Sequence, residues 1–365
     1  MIQEIEFLAV GEASKAGDAI IVLYGDGGTP SAMIIDGGHA ETGETIVARL
    51  KRYYGPNPVV EHVLLTHSDG DHASGLRAVL KEVIVLNLWL HIPWQLAEEA
   101  RHLFADKRWT PDGLRKTIRD EYDVIVEIVT LATQQGTTPH FPFAGDQVGP
   151  FRVLSPTRYA YRHLLPQFDR TPAADEAAIK AAQMWLGKAS LAQRMTDAAR
   201  AAVQSWTSET WDHERLRDGG ITSASNETSV VLYGAFHRGP MLLTGDAGNN
   251  GLIWAANEAD RLGLPLCQFN FVQIPHHGSR RNVGPTALDR LLGPRLPSGS
   301  ALSSHALVSA PADDAAHPRR IVLNAFQRRG FRVVGTQGKD IVYPGRVGST
   351  AVAPTPFYAR VEEYT

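Results

Sequence analysis

The chain has 365 residues, 43% of them hydrophobic and 21% charged, with a formal net charge of −3. Those values describe an ordinary globule, long enough for one large domain with an insertion or for two, and exclude a disordered or fibrous chain. So small a net charge exerts no general pull on nucleic acid or an anionic membrane, so phosphate binding would have to come from a local patch or from metals.

Residues 1–90 alternate strand and turn signals. Apolar runs at 2–10, 19–24, 32–35, 63–65 and 83–90 are separated by Gly and Asp clusters such as Gly25-Asp26-Gly27-Gly28. Two amphipathic helices intervene, one from near Thr42 and one from just after His72 through Leu80. The N-terminus of the second would favour an anion. Residues 95–104 and 111–131 read as helices, the latter opened by Thr110-Pro111. From 159 to 217 the chain turns rich in Ala, Gln, Arg and Glu, as in 177–186 and 189–206, which predicts a helical hairpin or small bundle ending at Asp218-Gly219-Gly220. Strands resume at 229–233, 241–244, 269–274 and 306–309. A helix over 317–329 and strands at 332–334 and 341–343 close the chain. No internal repeat is visible.

Four of the apolar runs stop abruptly in ligand-type residues. Val63-Leu64-Leu65 leads into Thr66-His67-Ser68-Asp69-Gly70-Asp71-His72, where Gly70 permits a tight reversal. Imidazole and carboxylate are ordinary ligands of divalent cations, so His67 and Asp69 can face one metal while Asp71 and His72 face a second. The other stops are Met33-Ile34-Ile35-Asp36-Gly37-Gly38, Leu242-Leu243-Thr244-Gly245-Asp246 and Gln273-Ile274-Pro275-His276-His277-Gly278-Ser279. Arg280 and Arg281 follow at once, and guanidinium groups suit bidentate contacts to phosphate.

In this order the motifs resemble the metallo-β-lactamase superfamily, and more narrowly its ComEC-type branch, named for the metallohydrolase domain of a bacterial competence channel. Gly17-Asp18-Ala19-Ile20, Asp36-Gly37-Gly38, His67 to His72, Asn226 to Ser229, Thr244-Gly245-Asp246, His276 to Ser279, His317-Pro318 and Thr336-Gln337-Gly338 carry the likeness. It spans nearly the whole chain except the middle. The resemblance implies a four-layer αββα sandwich over residues 1–365, with 159–217 as a helical insertion that forms a lid, a dimerisation arm, a protein-binding arm or plain decoration.

The resemblance also implies two divalent metal ions. His67 and Asp69 would hold the first, Asp71, His72 and His277 the second, and Asp246 would bridge them together with a hydroxide activated by both cations. Asp36 would orient a ligand histidine. His276 is then left for an outer contact or as a general acid, Asp71 and His317 join it as catalytic candidates, and Asn226, Arg280 and Arg281 are candidates for substrate contact. Asp69 and the region of Asn226 stand where many relatives carry histidines. An oxygen-rich first site shifts preference from zinc toward manganese.

The function expected is a phosphodiesterase or nuclease acting on nucleic acid or a nucleotide. The rivals are a lactamase, lactonase or thioesterase, and a weakly catalytic metal-binding interaction module. No apolar run reaches bilayer length, and Glu4 and Glu6 replace a basic-then-apolar signal. The single Cys267 is expected as a buried structural thiol. A cytoplasmic protein without a membrane follows, with homo-oligomerisation left open.

Overall fold

The computed structural model describes residues 1–12, 15–183, 205–236, 238–345 and 352–364. The strands are β1 (Ile2–Phe7), β2 (Ala19–Tyr24), β3 (Ser31–Gly37), β4 (Val59–Leu64), β5 (Ile84–Trp89), β6 (Pro139–His140), β7 (Gln147–Val148) and β8 (Phe151–Ser155). They continue as β9 (Trp206–Ser208), β10 (Val231–Phe236), β11 (Gly239–Leu243), β12 (Phe271–Gln273), β13 (Ser304–Val308), β14 (Phe331–Gly335), β15 (Ile341–Tyr343) and β16 (Arg360–Glu362).

All but β9 and β16 run in one order, β14-β13-β12-β11-β10-β1-β2-β3-β4-β5-β6, with β7, β8 and β15 at its side. The first half of the chain builds β1 to β6 and most of the second half builds β10 to β14. The two meet where Ile2 of β1 pairs with Phe236 of β10.

Burial on both faces explains why these strands read as unbroken apolar runs. In the first half, Ile21, Ile34 and Val63 turn outward onto Ile46 and Leu50 of helix Ala40–Tyr54. In the second, Leu242, Val272 and Ala306 meet Ala255, Leu291 and Leu323 of the helices on the opposite outer face. The alternate residues, Ile20, Ile35 and Leu64 against Leu232, Leu243, Phe271 and Leu307, share the inner core between the sheets. Three apolar layers between helix, sheet, sheet and helix are what a four-layer αββα sandwich requires.

Several elements differ from the sequence expectation. The helix expected over 111–131 is two, Pro111–Arg119 and Asp123–Gln134, broken around the buried Tyr122. The helix expected from His317 begins at Arg320, leaving His317 in the loop before it. Of the expected helical stretch 159–217, helices Arg158–Leu164 and Glu176–Gln183 are observed, and residues 184–204 lie outside the described residues. The far end is extended, because β9 pairs with β16 and Glu209 and the Trp211 carbonyl serve the buried guanidinium of Arg328. Cys267, expected to be buried, is exposed. It sits at φ 60° in the loop that precedes β12, which starts only at Phe271. Among the described residues no helix is long and apolar enough to cross a membrane.

Candidate metal centre

The four motifs lie at the carboxyl ends of two pairs of neighbouring strands. Asp36 is the penultimate residue of β3, Thr66 to His72 follow β4, Gly245 and Asp246 follow β11, and His276 and His277 follow β12. The first two come from one half of the chain and the last two from the other. Gly245, at φ 49°, lets the halves touch: a Cβ there would come within 3.0 Å of the Thr66 side chain. The helix expected from just after His72 through Leu80 is observed as Leu76–Glu82, and a separate short turn, Gly70–Ala73 with Asp69 as its cap residue, precedes it. Asp71 and His72 therefore sit on that turn. His276 and His277 are both left-handed, at φ 47° and 54°, a conformation costly for residues with a Cβ and concentrated at functional sites.

Each histidine of the cluster has its Nδ1 engaged and its Nε2 turned toward Asp246. His72 Nδ1 donates to Asp36 Oδ2 at 2.7 Å, and His277 Nδ1 donates to the Ser309 carbonyl at 3.0 Å. Thr66 Oγ1 donates to Asp36 Oδ2 and so can accept from His67 Nδ1, 3.1 Å away. From Asp246, Oδ1 stands 3.5 Å from His72 Nε2. Oδ2 stands 3.9 Å from His67 Nε2, 3.6 Å from His276 Nε2 and 4.0 Å from His277 Nε2. Asp69 Oδ2 is 3.6 Å from His67 Nε2, and Asp71 Oδ2 is 4.0 Å from His72 Nε2.

Two ligands on a tetrahedral zinc at 2.0–2.1 Å are separated by roughly 3.4 Å, close to these gaps. His67 Nε2, His72 Nε2, His277 Nε2 and Asp246 Oδ1 are buried with no hydrogen-bond partner. Buried polar atoms are almost always satisfied, and four orphans converging with ligand-type atoms fit one missing partner class, a divalent cation.

The electrostatics agree. Burial disfavours the Asp246 carboxylate, yet the imidazoles of His276, His72 and His277 outweigh it and push the pKa well below the ordinary range. Burial likewise opposes a charge on His72, but Asp246 and Asp36 raise its pKa well above normal. Burial lowers His277 to about 4 and lifts Asp18, whose Oδ2 accepts from Gln273 Nε2, to about 7. In the absence of another cation, protons on imidazoles balance these buried carboxylates.

A cleft of about 390 Å³ opens over the cluster, lined among others by Asp69, Asp71, Asn226 and His276, with Tyr122 and Arg170 also on its wall. Asn226, expected to touch substrate, is buried, with Nδ2 donating to Thr222 Oγ1 and 3.1 Å from His276 Nδ1. Arg280 Nη1 donates to the Glu363 carbonyl at 2.7 Å and its guanidinium lies over the Tyr364 ring, so this side chain is drawn to the C-terminal segment. Neither Arg280 nor the exposed Arg281 lines the cleft. His317 is near the centre, its ring 6.4 Å from that of His276 and its Nδ1 3.3 Å from Asp314 Oδ2.

Sequence reasoning missed Arg170, the cation on the cleft wall, and Ser225, whose hydroxyl donates to Asp69 Oδ1 at 2.8 Å. It also missed Asn282, which donates to the Asp246 carbonyl and faces His276 Nδ1. None of the three belongs to a strand-end motif, and only the adjacency of Ser225 to Asn226 marked its neighbourhood.

Comparison with known proteins adds one family. The profile described as the metallo-beta-lactamase superfamily matches residues 19–142. No curated protein matches the chain. Solved structures that resemble it include a metal-dependent hydrolase of the β-lactamase superfamily, at 11% identity and TM-score 0.42, covering 93% of this chain and 98% of the other. A diphosphatase from the PhnP family gives 10% identity and TM-score 0.37, with 94% and 98% covered. Zinc-bound PqqB from Methylobacterium extorquens gives 11% and 0.38, with 93% and 99% covered. Likeness at that level says nothing of substrate. The residues matched by the superfamily profile carry Asp36, His67, Asp69, Asp71 and His72.

Proposed function

We propose that this protein is a dinuclear metal-dependent hydrolase of the ComEC type that cleaves phosphodiester bonds in nucleic acid or a nucleotide. The observation that carries the reading is the set of imidazole Nε2 atoms turned onto the Asp246 carboxylate at the floor of an open cleft. In this reading His67 and Asp69 would hold one cation, Asp71, His72 and His277 the other, and Asp246 would serve both. The cations supply Lewis acidity and lower the pKa of water near neutrality.

The chain's own residues do the rest. Asp36 and Thr66 fix the ring orientation of His72 and His67, Ser309 does so for His277, and Ser225 restrains Asp69. Two dications against the carboxylates of Asp69, Asp71 and Asp246 and one hydroxide sum to about zero, with open positions suited to phosphoryl oxygens. Arg170 on the wall then adds a positive charge that favours an anionic phosphodiester over a lactam or thioester. Burial lowers the pKa of His317, which leaves its ring neutral and able to accept a proton at neutral pH.

The test pairs elemental analysis with a substrate panel of single-stranded DNA, RNA, cyclic nucleotides, a cephalosporin and a thioester. Bound divalent metal and phosphodiester cleavage are expected. Turnover of the cephalosporin or the thioester with no phosphodiester cleaved overturns the substrate assignment. Protein that binds no divalent metal overturns the hydrolase itself.

A further inference from the structure

We propose that His276 is itself a metal ligand, supplying through Nε2 a second imidazole to the metal held by His67 and Asp69. The inference rests on the dinuclear reading above and changes its first site.

Hydrogen bonding orients the His276 ring. The Asn282 amide donates from Nδ2 to the Asp246 carbonyl at 2.8 Å, and a carbonyl can only accept. That fixes the amide the other way round, with Oδ1 toward His276 Nδ1 at 2.8 Å. With Nδ1 held there, Nε2 faces Asp246 Oδ2 at 3.6 Å, the oxygen that also faces Nε2 of His67 at 3.9 Å and of His277 at 4.0 Å. Gaps of that size match the spacing of ligand atoms around a bound cation.

Asp246, His276 and His277 form a triplet whose ligand atoms all lie within 4.8 Å of one another, like the triplet of Asp71, His72 and His277. The paired left-handed backbone explains how consecutive residues contribute two ligands: it turns both rings toward Asp246, with His277 anchored at Ser309 and His276 at Asn282. The Asn226 amide packs against the same ring, with Nδ2 3.1 Å from His276 Nδ1.

Each metal would then have two histidines, one terminal carboxylate and a share of Asp246. His67, His276 and Asp69 would serve one, and His72, His277 and Asp71 the other. The argument for a nitrogen-poor first site, and with it the manganese preference, falls away.

The experiment measures zinc stoichiometry and affinity by chelator competition on wild type, His276→Gln and His276→Cys. Wild type should bind two zinc ions. His276→Gln should keep one at wild-type affinity and lose at least about a hundredfold for the other, beyond the tenfold to hundredfold typical of an outer contact. In His276→Cys loaded with cobalt, a thiolate-to-cobalt charge-transfer band should appear in the near ultraviolet. Two zinc ions at wild-type affinity in His276→Gln, or no such band, would overturn the proposal and leave His276 as a proton carrier. Circular dichroism of the metal-free variants separates misfolding from ligand loss, and the thiolate band stands on its own if the glutamine variant misfolds. Wild type that binds no zinc would instead overturn the dinuclear reading.

Discussion

Replacing Asp36 by asparagine should weaken metal binding without touching any ligand. The carboxylate is buried at the end of β3 and receives three hydrogen bonds of 2.7 Å, from the Thr66 amide to Oδ1 and from Thr66 Oγ1 and His72 Nδ1 to Oδ2. Its backbone is left-handed at φ 57°, which asparagine adopts as readily as aspartate, so the change isolates the lost charge and acceptor. An amide has one acceptor oxygen. If that oxygen keeps the Thr66 amide, its NH2 faces His72 Nδ1. The ring escapes the clash by moving its proton to Nε2, and the lone pair aimed at Asp246 is lost. A charge-assisted hydrogen bond contributes about 1.5–3 kcal/mol, and loss of an outer-shell partner commonly costs about 10- to 100-fold in metal affinity, or about 1.4–2.7 kcal/mol. Zinc competition against a calibrated chelator reads the affinity, and thermal unfolding of the metal-free protein shows whether the fold survives. A folded Asp36→Asn protein that binds zinc within twofold of wild type would refute the reasoning.

Other changes probe separate parts of the molecule. Asp246→Ala removes the carboxylate that faces His67, His72, His276 and His277, and elemental analysis should show lower occupancy of both metals; full retention would sink the bridge. Arg170→Ala should raise KM for a phosphodiester about tenfold and leave kcat nearly unchanged, and an equal fall in kcat would place the residue elsewhere. His91, packed between Phe143 and Tyr161, has its pKa lowered to about 3 by burial against 6.5 when free. The unfolded chain binds the extra proton, so the contribution of His91 is full above pH 6.5 and is lost as pH falls toward 3. His91→Leu should flatten the acid limb of urea-midpoint against pH, and an unchanged limb would assign that proton elsewhere. Gly75→Ala would put a Cβ 2.0 Å from the Gly37 carbonyl oxygen and 2.7 Å from that of His39, a backbone clash that should cost about 3 kcal/mol. Wild-type stability would contradict that packing.

Much of the centre was legible because a strand buried on both faces leaves few choices about where its exit loop begins. Asp36, His67, Asp71, His72, Asp246 and His277 all announced themselves as polar stops to apolar runs, and the structure brings them together. Residues that act through side-chain contacts from elsewhere were silent. Asn282 lies beyond the His276 motif with no pattern of its own, and Arg170 lies in a loop after Phe168 that only the folded chain places on the cleft wall. Tyr122 was read as the interior of one long helix, yet its buried ring sits at the break between two and lines the cleft. Arg280 and Arg281 follow the His276-His277 motif directly in sequence, but nothing local told that Glu363 and Tyr364 would draw Arg280 away. Cys267 was misjudged because Leu264 to Leu266 resemble a strand; Pro265 and the left-handed turn at Cys267 keep pairing from starting before Phe271.

In the dinuclear reading, the division of the ligands between the two halves of the chain makes the centre a stitch as well as a site. His67 and Asp71 come from one half and Asp246 and His277 from the other, halves that are also joined by β1, which pairs with β10 at Ile2 and with β15 at Ile5, Glu6 and Phe7, and by a shared inner core. A cation gripped by both halves binds the folded chain and has no comparable site once they part. Its free concentration therefore enters the unfolding equilibrium directly, adding about 2.7 kcal/mol at a hundred times Kd. Metal supply would then add to the core and strand pairing that hold the halves closed on each other, so that starvation for the ion would surface as faster turnover of the protein as well as loss of its chemistry.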